Sequence, residues 1–356
     1  MDEKRFNLVK EVGEEINTEA DLKKLVSEDR TLVAYDGFEP SGSIHIAQAV
    51  LRAINVNKMI KAGCRFKMFV ADWHAWANNK MGGDLEKIQT VGKYFMEVWK
   101  ASGMDLENVD FVWASELVKD EDYWKIVMKV AINSTVNRII RCSQIMGRDE
   151  KESLSAAQIL YPCMQAADIF YLKADICQLG MDQRKVNMLA REVGEKIGYY
   201  KPVVVSHHML MGLQQPSTEK EGVEKSIEMK MSKSKPDTAI FVTDAPEEVE
   251  RKMKKAYCPE GQAEENPILE YCKYIIFEKI NEFVIERPEK FGGTIKFNTY
   301  EELEKAFVEK KVHPMDLKAA SAKYINQILE PIHKHFNENA EAKKLLETVQ
   351  GYQVTR

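Results

Sequence analysis

"TLVAYDGFEPSGSIHIAQAV", residues 31–50, decides how the rest of the chain is read. TLVAYDG is a short, largely apolar run ending in glycine, the pattern of a buried strand. A Gly-Pro-Ser turn follows, then His45. Beyond it Ile46, Ala49, Val50, Ala53, Ile54 and Ile60 recur at helical spacing up to Gly63, where a helix would end. Strand, tight turn and helix in that order open a βαβ unit. The helix start would offer free N–H groups and the positive end of its dipole, which suits a phosphate. Taken alone, the stretch reads more simply as an exposed turn histidine.

Working outward, FKMFVAD (66–72) and VDFVWAS (109–115) read as further buried strands, with a helix over 85–101 between them. Alternating strands and helices imply crossover connections and a parallel sheet. Residues 116–164 read as a helical insertion carrying Lys125, Lys129, Arg138 and Arg141. The strand pattern resumes at ADICQLG (174–180) and ends with PVVVSHH (202–208). Residues 1–30 read as short charged helices, and 214–229 as a polar, mobile loop. The last third reads as helical. It starts at Asp244-Ala-Pro-Glu, with Asp244 as the cap, and Glu247/Arg251, Glu248/Lys252 and Glu250/Lys254 pair at i,i+4. The expected fold is α/β: a Rossmann-type parallel-sheet domain over 31–240, with N-terminal helices before it and an all-helical domain over 241–356 after it.

The chain has 356 residues and a net charge of −5, so bulk charge does not bind it to nucleic acid. No apolar run approaches the roughly 20 residues of a bilayer span. MDEKRFNLVK has no apolar secretory region. The six cysteines are scattered without C-x-x-C pairs, so neither a zinc site nor a disulfide framework is expected. A cytoplasmic location, no metal site and no membrane contact are the expectations.

Two more stretches bear on chemistry. Lys230-Met-Ser-Lys-Ser, within a loop at about 214–238, puts two lysines and two hydroxyls on one segment. Such a segment could close over a triphosphate, or simply be a solvated basic run. Tyr161, Gln165 and Asp168 fall at i, i+4 and i+7, on one face of an otherwise apolar helix. Buried polar groups there need partners. Bonds to backbone in a packed helix explain them equally well.

KMSKS at 230–234, with a strand–turn–histidine–helix upstream, resembles the class I aminoacyl-tRNA synthetases, whose hallmarks are written HIGH and KMSKS. His-Ile-Ala-Gln at 45–48 keeps two of the four letters of the first. GFEPSG, FVADWHAW, the YPxMQxxD helix, GMDQRK, KKAYCP, RPEKFGG and HPMDLK extend the resemblance to tyrosyl-tRNA synthetases of the archaeal and eukaryotic type, over almost the whole chain. The EPSG, ADW and SHHMLxGLQQ wording is most like plant and protist members.

The resemblance implies a tyrosine pocket at Tyr35, Ala71, His74, Tyr161, Gln165, Asp168 and Gln183. Tyr35 and Asp168 would bond the phenolic hydroxyl, and Tyr161, Gln165 and Gln183 the α-ammonium. It implies ATP at Gly37, Gly42, His45, Gln48, Gly180, Asp182, Met209, Leu210, Lys230, Ser232 and Lys233, with Mg²⁺ accompanying it. His45, Lys230 and Lys233 would be catalytic. Cys258, Phe291 and Asp316 would hold anticodon bases of tRNA(Tyr), and the insertion at 116–164 would form a homodimer interface and reach the acceptor stem. The implied activity is tyrosine–tRNA ligation through tyrosyl-adenylate. A tryptophanyl-tRNA synthetase and a non-catalytic, synthetase-like RNA-binding protein are the alternatives. A pocket with an acid and a tyrosine hydroxyl suits a phenol better than an indole N–H.

Overall fold

The computed structural model describes residues 2–146, 153–216, 222–231, 233 and 235–352. The apolar runs form one sheet of six strands: β1 (Glu15–Asn17), β2 (Leu32–Phe38), β3 (Cys64–Val70), β4 (Val109–Trp113), β5 (Ile176–Cys177) and β6 (Val203–Ser206). Their order is β1-β6-β5-β2-β3-β4. All neighbours run parallel except β1 with β6. From β2 the chain moves one way to β3 and β4, then returns to the other side of β2 with β5. The strand order therefore reverses between β2 and β5, and ligands in open α/β sheets bind at the carboxyl ends of such a pair.

The helix Leu85–Ala101 falls where its periodicity puts it, and Asp84 caps it by accepting from Lys87 N. It buries Trp99, whose ring stacks on Phe111 of β4 at 6.0 Å. The helix after β2 starts with a π turn (Ala47–Leu51) and becomes α over Arg52–Lys61. Gly63 follows it at φ 85°, a left-handed position that glycine adopts without strain.

Five expectations need correcting. The first 30 residues are not helices alone: Glu15–Asn17 forms β1 and pairs antiparallel with β6. It is too short to show a period, so nothing local marks it. The C-terminal third is not all helical, because β7 (Phe283–Ile285) and β8 (Ile295–Phe297) form an antiparallel hairpin. Within the segment read as a mobile loop, Gly222–Met229 is a helix. Asp244 does not cap the following helix. Ala245 is the cap residue with Pro246 next, and the Asp244 carboxylate accepts from Phe241 N and Lys252 Nζ instead. Arg251 likewise pairs with Glu248 and Asp237 rather than Glu247, while Lys252 reaches Glu248 at 3.7 Å.

One buried apolar cluster runs from Phe6 through the sheet to Phe336 and Val349, so the C-terminal helices share the core under the sheet. A second cluster sits beneath the insertion, around Tyr123, Tyr161 and Phe170. All six cysteines are buried free thiols. Among the described residues, no helix is long and apolar enough to cross a membrane.

Candidate active site

A cavity of about 950 Å³ opens at the carboxyl ends of β2 and β5. Every residue assigned above to tyrosine lines it: Tyr35, Ala71, His74, Tyr161, Gln165, Asp168 and Gln183. So do Gly37, His45, Gln48, Gly180, Asp182, Met209, Leu210, Lys230 and Lys233. Gly42 lies in the preceding turn with φ 80°, a left-handed position. Ser232 lies outside the described residues.

The deep end is built by the helix Ala156–Tyr171, which a Ser155–Gln158 capping box starts. Its polar face bonds to side chains rather than to backbone. Asp168 accepts from Tyr123 Oη at 2.9 Å, and His74 Nε2 lies 3.0 Å from its other oxygen, off the axis of a hydrogen bond. Burial pulls the His74 pKa down, but the Asp168 carboxylate, with Glu39 and Asp72, outweighs it and holds it above the ordinary value. Tyr35 Oη is buried and has no hydrogen-bond partner. Burial, with Asp168 among the nearby charges, pushes its pKa well up, so it stays protonated. An unpartnered buried hydroxyl is destabilising by roughly 1–3 kcal/mol, which a ligand hydroxyl could recover. Gln165 Nε2 donates to Gln183 Oε1 at 3.0 Å, and Gln183 Nε2 to Ile145 O. Gln165 Oε1 is buried and unpartnered too.

The middle holds Glu39, which the reading of the sequence passed over although it lies inside GFEPSG. It accepts from Tyr161 Oη at 2.7 Å and from Asn78 Nδ2 at 3.1 Å, with Lys80 Nζ at 3.6 Å. Tyr123 was also missed, because nothing near it in sequence marks it.

Around His45, the expectation about free N–H groups needs correcting. Ile46 N donates to Ile240 O, and Gln48 N and Ala49 N both donate to His45 O. Side chains face the cavity instead. His45 is half-buried, with its Nδ1 buried and unpartnered, and Gln48 Oε1 is buried and unpartnered as well. Burial, then Lys233 and Lys230, push the His45 pKa well below its usual value, so the ring is neutral. Lys230 Nζ donates to Asp182 Oδ2 at 2.6 Å. Burial raises the Asp182 pKa, but Lys230 outweighs it and holds the carboxyl below the usual range. Lys233 Nζ reaches Ser41 O and Oγ at 3.3 Å. Burial, and then Lys80, lower its pKa to about 7 against the opposing pull of Glu39. At Gly180 a Cβ would stand 2.6 Å from both Asp182 Oδ1 and Met209 Sδ, so a side chain there would push these two aside. In the cavity wall, buried Arg52 bonds to Asp36 at 2.6 Å and to Gln178 O at 3.1 Å, tying β2 to the end of β5.

The three residues assigned to the anticodon lie elsewhere. Phe291 is 63% exposed, beside the left-handed Gly292 between β7 and β8. Asp316 sits in the first turn of Pro314–Glu338. Cys258 is buried, and its thiol accepts from Asn266 Nδ2 at 3.5 Å.

One cavity at the sheet's carboxyl ends thus gathers neutral His45, two lysines and a polar, tyrosine-bearing helix face. The model of the class I tRNA synthetases (W and Y) matches residues 27–330, and the chain belongs to that family. Within it the chain stands with the tyrosine–tRNA ligases. It is 52% identical to cytoplasmic tyrosine–tRNA ligase 1 of Arabidopsis thaliana, over 99% of this chain and 90% of the relative. A solved tyrosyl-tRNA synthetase of Pyrococcus horikoshii, complexed with L-tyrosine, superposes with a TM-score of 0.91 at 41% identity, over 98% of this chain and all of that one. The Leishmania major tyrosyl-tRNA synthetase with tyrosinol gives 0.90 at 45% identity, over 99% of this chain and 52% of that one. The tryptophanyl-tRNA synthetase of Encephalitozoon cuniculi gives 0.71 at 16% identity, a likeness of fold alone, so the tryptophan alternative is not supported.

Proposed function

We propose that L-tyrosine and ATP react in this cavity, and that tRNA(Tyr) takes the product. The observation that carries the reading is the pairing of two ends. A buried, unpartnered Tyr35 hydroxyl stands with Asp168 at one end, and His45, Lys230 and Lys233 stand at the other. A phenol both donates and accepts, so it satisfies Tyr35 and Asp168 together. A phenylalanine ring leaves the Tyr35 hydroxyl unmet, and sites of this kind reject it by about 10⁴–10⁵. Gln165, Gln183 and Glu39 offer acceptors to the α-ammonium.

The tyrosine carboxylate is already ionised, so no general base is needed for attack on the α-phosphate. The work is positioning and charge stabilisation. Neutral His45 donates a hydrogen bond to phosphate, and Lys230 and Lys233 stabilise the pyrophosphate as it leaves. Asp182 accepts from ribose hydroxyls, and Gly180, Met209 and Leu210 shape the nucleoside end. Gln48 donates where the usual motif has a second histidine, without the charge. Mg²⁺ comes with ATP. It would offset the charge of the ATP phosphates, beside the charge that Lys230 and Lys233 supply.

The exposed Met128, Ile132 and Val136 form an apolar strip on the insertion, which suits a homodimer interface. Phe291 and Asp316 suit splayed anticodon bases through stacking and hydrogen bonds. A cytoplasmic location completes the reading. Charging tests it: purified protein with Mg²⁺ and ATP should attach labelled tyrosine to tRNA(Tyr), and failure to charge any tRNA would refute it.

A further inference from the structure

His208 follows β6 and is not needed to explain either end of the cavity. Its imidazole bridges two carboxylates: Nδ1 lies 3.0 Å from Glu14 Oε2, and Nε2 lies 3.0 Å from Glu270 Oε2. The ring stacks on Tyr274 with centroids 4.4 Å apart and planes 15° apart. Glu14 lies just before β1, and its N–H donates to Ser206 O at 2.8 Å. Glu270 and Tyr274 belong to the C-terminal third, so three remote parts of the chain meet on one ring.

Glu270 Oε2 also accepts from Met211 N at 2.9 Å. Met211 lies beside Met209 and Leu210 at the nucleoside end, and it bridges in antiparallel fashion to Lys230. Gly212 N donates to Met229 O at 2.8 Å, and Met231 N to Leu210 O at 3.4 Å. Residues 210–212 and 229–231 thus form a short ladder that carries the loop lysine. One carboxylate oxygen of the C-terminal third is anchored by His208 and grips that ladder. That single oxygen thus holds the histidine and the Met211 N–H together.

We propose that Glu270, clamped by His208, is a positioning residue for ATP. It fixes the Met209–Met211 strap and, through the Met211–Lys230 pairing, sets where Lys230 meets the phosphates. The role rests on reading the cavity as the ATP site. Both side chains are more than three-quarters buried, so water competes only partly for these bonds. The tyrosine pocket shares no residue with the clamp, so loosening it acts on ATP alone.

The test is tyrosine-dependent pyrophosphate exchange by the whole chain, with ATP and tyrosine varied in turn. Glu270→Gln and His208→Ala should each raise KM for ATP about tenfold, and leave KM for tyrosine within about twofold. The double variant should be little worse than the stronger single one, because both changes break one unit. Glu14→Gln leaves the ladder bond intact and should move KM for ATP the same way by less. Equilibrium tyrosine binding confirms that each variant is folded. An unchanged KM for ATP in all of them, or KM values for ATP and tyrosine that rise in step, would overturn the proposal. A wild-type chain that exchanges no pyrophosphate would overturn the reading of the site, and the clamp's role with it.

Discussion

Lys230 Nζ lies 2.6 Å from Asp182 Oδ2, so the lysine of the 230–234 segment is bonded directly to the carboxylate that follows β5. Lys230, Met231 and Lys233 all line the cavity. We expect Lys230→Met to lower the rate of tyrosine-dependent pyrophosphate exchange by about 10²–10³, the size of losing one transition-state donor. Tyrosine affinity, read by equilibrium binding, should not change. An equal loss of tyrosine affinity would mean that Lys230 supports the pocket and not the phosphates.

Lys233 has a pKa pulled to about 7 by burial and by Lys80. Phosphates brought beside it favour the charged form and raise that value. A group whose pKa rises on binding contributes affinity fully below its free pKa and loses it as pH rises. ATP should therefore bind with proton uptake near pH 7, and its affinity should weaken progressively above that. Calorimetry in two buffers of different ionisation enthalpy measures the uptake. A titration with no buffer dependence would contradict this placement of Lys233.

Tyr35→Phe deletes a buried hydroxyl that has no partner. The fold should be as stable as before, or more stable by up to about 1 kcal/mol. Discrimination of tyrosine over phenylalanine in exchange should nevertheless fall about 10- to 100-fold, and Asp168→Ala should erode it further. Asp168→Ala also strips Tyr123 and His74 of their shared carboxylate and should lower the melting temperature. Unchanged selectivity in both variants would remove these residues from phenol recognition.

Ile132 is 77% exposed, between Met128 and Val136. If this strip joins two copies, Ile132→Glu buries two symmetry-related charges against apolar surface and should shift the chain to monomer in analytical ultracentrifugation. A sedimentation coefficient that does not move, with a dimer persisting, would place the interface elsewhere.

Much of this was legible in the sequence because it rests on local pattern. Buried parallel strands are continuous apolar runs, and β2, β3, β4 and the helix Leu85–Ala101 announce themselves that way. The polar face of Ala156–Tyr171 was legible for the opposite reason: polar side chains on an apolar helix must meet partners. What failed was non-local or too short. β1 has three residues and exists because β6 offers it an edge. Asp244 looked like a cap, but the carboxylate is taken by Lys252 and Phe241 N. The helix-start N–H groups after His45 looked available, and Ile240 and His45 carbonyls hold three of them. Glu39 lay inside the quoted turn, yet only the fold shows Tyr161 and Asn78 converging on its carboxylate. The His208 clamp joins residues 194 and 62 positions apart, beyond any local pattern.

The central claim is that this cavity joins tyrosine to ATP. Exchange of labelled pyrophosphate into ATP, with Mg²⁺ and each amino acid in turn, tests it most directly. Tyrosine should support rapid exchange, and phenylalanine and tryptophan should support almost none. Equal exchange with tryptophan, or none with tyrosine, would contradict it.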